Sequence, residues 1–519
     1  MTIAITLSLV LVTTLTLVLL RVFRPGFSFA WPIAVIGSFL AWISVFLWQL
    51  NLPDNLVLFD FKYQEVINYS ISLASDGVNY PYAVGISSLV MAAIFTSAMK
   101  AREANPLSWV TILLLSILGL FAVLADNPLT LVIAWSFMDL AGLISSLNSS
   151  DDPIFSERAV LSFSARVIGT GLVLWAGILS TISFGGSFTQ SAIQQNPGVI
   201  IILGVIIRSI ALFLPHPYSR DVAIRNGYEA TYKLISAAAT VVMLSHVKMG
   251  PNTSLVISLL ILSIAITGLI SVYSWLRHPR EIFNQSKWIM GLISLSLSAT
   301  LMGNPLGSAA WGSVCLFAGG LLFLYSHRNI VVTVTLLIAA YMLSALPFSI
   351  TATGWSENIS KYWMTLIILI PLQSLLTAGY IRSIAREEKE NLNNQPRWIN
   401  VFYPMGLVSL ALSGLILGVT GWDGASQMGA WIPAAIAGVL TVIISIILIR
   451  IPIPAPLDSR LRNRPVAWSG AFISIWWGLY RTLRRLLDIL TTTFEGDGGV
   501  LWTILFLIVF ISILGVYAF

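Results

Sequence analysis

The chain has 519 residues, of which 57% are hydrophobic and 10% charged, and it carries a formal net charge of +6. That composition excludes a soluble globular protein, which needs more polar surface. One cysteine, at position 315, excludes a disulfide framework and any Cys/His spacing for zinc or an iron–sulfur cluster.

Apolar stretches of about 20 residues recur along the chain, each long enough to cross a hydrocarbon core of roughly 30 Å as a helix. About sixteen are expected. They begin near Thr2, Phe29, Ala83, Ser108, Asn127, Arg158, Val199, Gly227, Ser254, Gln285, Gly307, Asn329, Lys361, Val401, Met428 and Gly499. The first reads as a retained helix and not a signal peptide, because Arg21 and Arg24 follow its apolar run instead of preceding it. Residues 51–82 carry aromatic and β-branched side chains suited to a short outward hairpin. Residues 451–498 open on a Pro-rich stretch and continue as WSGAFISIWWGLYRTLRRLLDIL. There Trp476, Trp477, Leu483, Leu487 and Leu490 share one face, which fits an amphipathic surface helix; the plainer reading is a tilted, partly buried connector.

Twenty-two of the 28 Lys and Arg residues fall in one set of alternate loops. By the positive-inside rule those loops are cytoplasmic, and an even number of spans puts both termini outside. The same loops account for the net charge. No basic face is interleaved with stacking aromatics, so nucleic acid is not an expected partner. No phosphate loop, nucleophile elbow or nucleotide fingerprint is present. No cofactor is expected, and the chain is not expected to be catalytic alone.

Ionisable residues inside apolar spans carry the functional signal, since each costs roughly 2.5–3.5 kcal/mol to insert without a partner. Asp139, Arg166, Arg208, Glu229 and Lys233 are of this kind. Glu229 and Lys233 are four apart and share a helix face. Arg208 precedes Pro215 and Pro217, which are expected to break its helix; Pro347 is expected to break another. Two readings stand side by side: a chain of acids and bases relaying protons through buried water, and a set of ion pairs fixing helix packing. Arg208 favours the second, because arginine hardly ever deprotonates. The spans from Ser254 to Tyr380 hold almost no charge at membrane depth. Lys287, His327, Glu357 and Lys361 lie near span ends.

Several local motifs carry a resemblance. ADNPLTLVIAW at Ala125 to Trp135 resembles the fifth helix of the antiporter-like subunits of respiratory complex I, a fold also found in Mrp-type antiporters, membrane-bound hydrogenases and inorganic-carbon transporters. Asp76-Gly77, RSIALFLPHPYSRDVA, YEATYKLISAAATVVML and SALPFS at Ser344 to Ser349 resemble further stretches of that family, in its order and spacing, over residues 70 to 390. The resemblance implies an all-α polytopic membrane fold with two inverted five-helix repeats and two broken helices. It divides the chain into N-terminal helices with an outward loop (1–107), a first repeat (108–250), a second repeat (251–385) and C-terminal helices with the cytoplasmic amphipathic segment (386–519).

The sequence also departs from the family. Ser136 stands where the family has a glutamate after the tryptophan, and Asp139 lies one turn on. Arg208 stands at the central lysine, and the next helix offers Lys233 or Ser236. Ala318 stands at or near the second-half lysine, and Glu357 fits the twelfth-helix position only with a short insertion.

The resemblance thus implies an antiporter-like membrane subunit of a multisubunit energy-converting complex, in a bacterial plasma membrane or a thylakoid-type membrane. It would move protons or sodium through Asp139, Arg208, Glu229, Lys233 and Glu357, beside other membrane subunits and a cytoplasmic or redox module. The rival reading is a non-pumping scaffold that anchors a partner, such as a carbon dioxide hydration or redox module.

Overall fold

The computed structural model describes residues 2–24, 29–59, 70–100, 106–149, 153–184, 193, 195–213, 225–249, 255–277, 285–355, 363–385, 391–392, 395–422, 424, 429–450 and 485. Two compact units are present, Met1–Pro452 and Ile453–Phe519. The amphipathic segment after residue 450, the span near Gly499, and Pro215, Pro217 and Glu357 lie outside the described residues.

Among the described residues the first unit is all-α apart from one hairpin. In chain order its helices are α1 (Thr2–Phe23), α2 (Ala30–Leu47), α3 (Tyr80–Thr96), α4 (Pro106–Val123), α5 (Pro128–Ser149), α6 (Pro153–Phe184), α7 (Gln195–Ile210), α8 (Arg225–Val241), α9 (Leu255–Arg277), α10 (Gln285–Leu301), α11 (Pro305–Leu324), α12 (Ile330–Met342), α13 (Trp363–Ala385), α14 (Arg397–Ile416) and α15 (Trp431–Arg450). Each expected span up to that beginning near Met428 is a helix. Ten described helical segments are long and apolar enough to cross a membrane, and three shorter apolar helices accompany them.

Polarity runs opposite to that of a soluble protein. The most apolar helices, α1, α9 and α15, are the least buried, whereas α11, markedly less apolar, has 83% of its span buried. Lipid is as apolar as leucine, so burial inside the bundle selects small and hydroxyl-bearing residues that let backbones approach. Accordingly α3, α8, α10 and α11 form the centre and bury Ser87, Ser88, Ser236, Thr240, Ser294, Ser296, Ser298 and Ser308.

The expected hairpin is present: β1 (Asp54–Phe59) pairs antiparallel with β2 (Ile71–Ser75), Asp54 opposite Ser75. It fixes the start of α5. Ala74 donates its N–H to Leu124 O at 2.7 Å, and Asp126 donates to Ser72 O at 3.1 Å. Asn127 then caps α5, its Oδ1 accepting from Thr130 N at 2.9 Å. Asp76 shapes the turn that leads into α3, its Oδ1 accepting from the N–H groups of Val78 and Asn79.

In each of the two sets α4–α8 and α9–α13 the first helix packs on the last, α4 on α8 and α9 on α13. Among them α12 stops at Met342, before Pro347, and the chain turns through Ala345 and Phe348, both at positive φ (56° and 63°). Its open carbonyl ends are met by side chains. Thr351 Oγ1 donates to Met342 O at 2.6 Å, and Gln373 of α13 donates to Leu343 O at 3.0 Å. Trp355 Nε1 in turn donates to Gln373 Oε1 at 3.0 Å. The break in α12 is therefore closed by neutral groups.

Candidate functional site

Charge gathers where α5, α6, α7 and α8 meet. α5 presents Trp135 and Asp139, four residues apart, inward, while Ser136 faces outward and donates to its own turn at Val132 O. The acid of this helix thus sits on the buried face, one position round from the exposed one. Asp139 is 3% exposed and Arg208 of α7 is 2% exposed. They form a two-pronged pair: Arg208 Nη1 to Asp139 Oδ2 at 2.8 Å and Nη2 to Oδ1 at 3.2 Å. This is the strong geometry for a guanidinium and a carboxylate.

Arg166 of α6 approaches the same carboxylate, Nη1 to Oδ1 at 3.3 Å, and donates to Tyr232 Oη of α8 at 2.5 Å. Arg208 is held further by Arg166 O at 3.1 Å and Thr170 Oγ1 at 2.5 Å. Its guanidinium carbon lies 4.0 Å from the Trp135 ring centre, and that ring is anchored by Nε1 donating to Ala239 O at 3.1 Å. Close helix approach makes this possible. A Cβ on Gly169 would stand 2.5 Å from Arg208 Cγ, and one on Gly142 would stand 2.0 Å from Tyr232 Oη.

A second pair lies on α8. Lys233 Nζ is 2.7 Å from Glu229 Oε1, with both side chains buried, and 3.5 Å from Gln285 Oε1 at the start of α10. Tyr232 faces α5 and α6 while Lys233 faces α10, so α8 joins the two clusters on adjacent positions. Beyond Lys233 along the same helix lie the buried hydroxyls Ser236 and Thr240.

Of the residues singled out in the sequence, Asp139, Arg208 and Arg166 come together, and Glu229 and Lys233 come together separately. Tyr232, Thr170 and Trp135 were not singled out as site residues. Tyr232 alone carried a signal, as the neighbour of a buried lysine. In the second half Ala318 is wholly buried in α11, and Lys287 donates to Ser274 Oγ at 2.8 Å near the start of α10. Among the described residues no group of His, Cys, Asp and Glu is arranged to hold a metal ion.

No protein-family description matches the sequence, and no curated protein matches it. Solved structures do match in shape. A chain of the Mrp complex from Dietzia sp. DQ12-45-1b superposes with a TM-score of 0.67 at 15% identity, over 100% of this chain and 63% of that one. A chain of the membrane-bound sulfane sulfur reductase, an archaeal respiratory membrane complex, gives 0.58 at 14% identity, covering 98% and 100%. A chain of respiratory complex I from Thermus thermophilus with bound NADH gives 0.53 at 13%, covering 85% and 99%. The chain therefore has the fold of membrane subunits found in these complexes, and it spans 63% of the length of the Mrp chain.

Proposed function

We propose that this chain is an antiporter-like membrane subunit of a multisubunit energy-converting complex, and that it takes part in moving protons, or sodium, across the membrane. The Lys233–Glu229 pair carries the reading. Both members can exchange a proton, both are buried, and the lysine reaches from α8 to Gln285 of α10. A lysine between two such partners changes protonation when its carboxylate partner is drawn away. By the distribution of basic loops this end of α8 is cytoplasmic, so the pair would take up or gate protons from that side. Asp139 and Arg208 serve it differently. An arginine is a poor proton carrier, so the Asp139 cluster supplies a fixed field and holds Tyr232, the residue beside Lys233. Glu357 and the inverted relation of the two helix sets belong to the same proposal.

The neighbours in shape, all drawn from multisubunit membrane complexes, support the expectation of partners. Other membrane subunits are expected, with a cytoplasmic or redox module where the complex is redox-driven, in a bacterial plasma membrane or thylakoid-type membrane with both termini outward. A second reading, a non-pumping anchor for such a module, draws on the two-pronged Asp139–Arg208 bond and on Ala318.

Two measurements separate these readings. Purification in mild detergent with mass spectrometry identifies the co-purifying subunits. The recovered complex is then reconstituted in vesicles and proton flux followed. Lys233→Gln is expected to reduce coupled flux to near background while leaving complex yield intact. Unchanged flux with Lys233→Gln would leave the anchor reading standing.

A further inference from the structure

α1 and α2 pack against each other, and a groove of about 460 Å³ opens between them. Ser8, Val12 and Thr16 of α1 and Ile36, Gly37 and Leu40 of α2 stand on its walls. Val12 is 60% exposed and Ile36 59%. The hydroxyls of the α1 wall use their protons inside that helix: Ser8 donates to Ile5 O, Thr13 to Leu9 O and Thr16 to Val12 O. Such a wall can be covered by hydrocarbon without leaving a donor unpaired.

One end of the groove is basic. Arg24 continues the winding of α1, its N–H donating to Leu20 O at 2.8 Å, and its side chain is exposed. It follows Thr13 by three turns of helix, so the two lie on one face of α1. At 1.5 Å per residue that separation is about 16 Å along the axis, and one leaflet of hydrocarbon is roughly 15 Å deep. A headgroup at Arg24 therefore sets an acyl chain beside Thr16 and Thr13. Arg21 adds a second basic residue at this end of α1, and no Asp or Glu occurs in the sequence before Asp54. The other wall begins at the same end. α2 runs back from it with no acidic residue in its first turn, so its positive helix end also favours an anion there.

We infer that the α1–α2 groove binds one anionic phospholipid, with the phosphate at Arg24 and one acyl chain along Val12, Thr16 and Ile36. By the distribution of basic loops the lipid belongs to the cytoplasmic leaflet, where basic pockets between helices hold anionic headgroups. The inference rests on the groove and its basic end and is independent of ion transport.

The test uses the full chain in nanodiscs. Ile36→Cys is made in a Cys315→Ser background and given a fluorophore. Phosphatidylglycerol or phosphatidylcholine with a nitroxide on the acyl chain is then titrated in, and quenching is followed. Saturable quenching is expected, with phosphatidylglycerol effective at a mole fraction about 5-fold lower, the worth of one basic side chain at a membrane surface. Arg24→Gln is expected to weaken phosphatidylglycerol by about 5-fold and leave phosphatidylcholine unchanged. Val12→Trp, which fills the groove without altering charge, is expected to weaken both lipids. Arg450→Gln, at the end of α15, is expected to change neither. Three results would overturn the inference. One is equal quenching by the two lipids. Another is an Arg450→Gln loss as large as that of Arg24→Gln, which would mean diffuse surface charge. The third is a photocrosslinker at the same cysteine joining a co-purifying subunit, which would make the groove a subunit interface.

Discussion

Asp139 is one carboxylate serving two arginines, and the two contacts are unequal. Removing the carboxylate leaves two buried guanidinium groups, and breaking a buried pair in this way costs about 3–5 kcal/mol. Asp139→Asn is expected to lose that much stability. Arg166→Gln removes a contact of 3.3 Å to Asp139 and the donor to Tyr232 Oη but keeps the two-pronged pair, so its loss is expected to stay at about 1.5–3 kcal/mol. Thermal unfolding of the two variants in the same detergent checks the order; equal losses would mean that the arginines share the carboxylate evenly. This asymmetry was not legible in the sequence. Asp139 stood out as a lone charge in an apolar stretch, but its partners lie 27 and 69 residues away, and only helix crossing selects them. The Glu229–Lys233 pair was legible because its spacing of four places both on one face of any helix.

Between helices, small residues set the distances on which the cluster depends. Gly142 allows Tyr232 to reach Arg166, and an alanine Cβ there would overlap the phenol oxygen. Gly142→Ala is expected to displace Tyr232 and cost about 1–3 kcal/mol, the usual range for overpacking. Tyr232→Phe, which removes the hydrogen bond from the Arg166 guanidinium without crowding, is expected to cost about 1.5–3 kcal/mol. Thermal midpoints of the two variants separate crowding from the lost bond. The break in α12 makes the same point with hydrogen bonds. Gln373→Leu strips partners from Leu343 O and Trp355 Nε1, each buried, and is expected to destabilise by about 1–3 kcal/mol for each group left unpaired. Gln373→Glu, which keeps the acceptor for Trp355 but loses the donor to Leu343, is expected to recover part of the loss in the same assay. Pro347 marked this break in the sequence, yet the helix ends earlier, at Met342. What moved the end is Thr351 and Gln373 taking the carbonyls, a contact made across the turn and to another helix. The positive φ of Ala345 and Phe348 carried no sequence signal at all, since neither is glycine or asparagine.

Across the whole molecule, the alternation of apolar stretches and basic loops made the helical membrane fold readable before any contact was known. It did so because the bilayer demands long helices with internally satisfied backbones, and that demand is written in length and composition. The arrangement inside the bundle obeys a weaker rule, since lipid and protein interior differ little in polarity and small differences in helix surface decide burial. The basic loops also propose an orientation, which bears directly on function because it sets which side supplies the Glu229–Lys233 pair. The pair lies one to two turns into α8, about 6–12 Å along the axis from Arg225. Cysteine labelling tests it cleanly: Cys315 is the chain's single cysteine and is buried in α11, so Cys315→Ser gives a background for introduced thiols. Asn55→Cys in the hairpin is expected to react with an impermeant maleimide added to intact cells. Arg277→Cys, at the far end of α9, is expected to react only after the membrane is opened. The reverse pattern would put the lysine pair on the outer side, and proton uptake by Lys233 would then have to be sought from there.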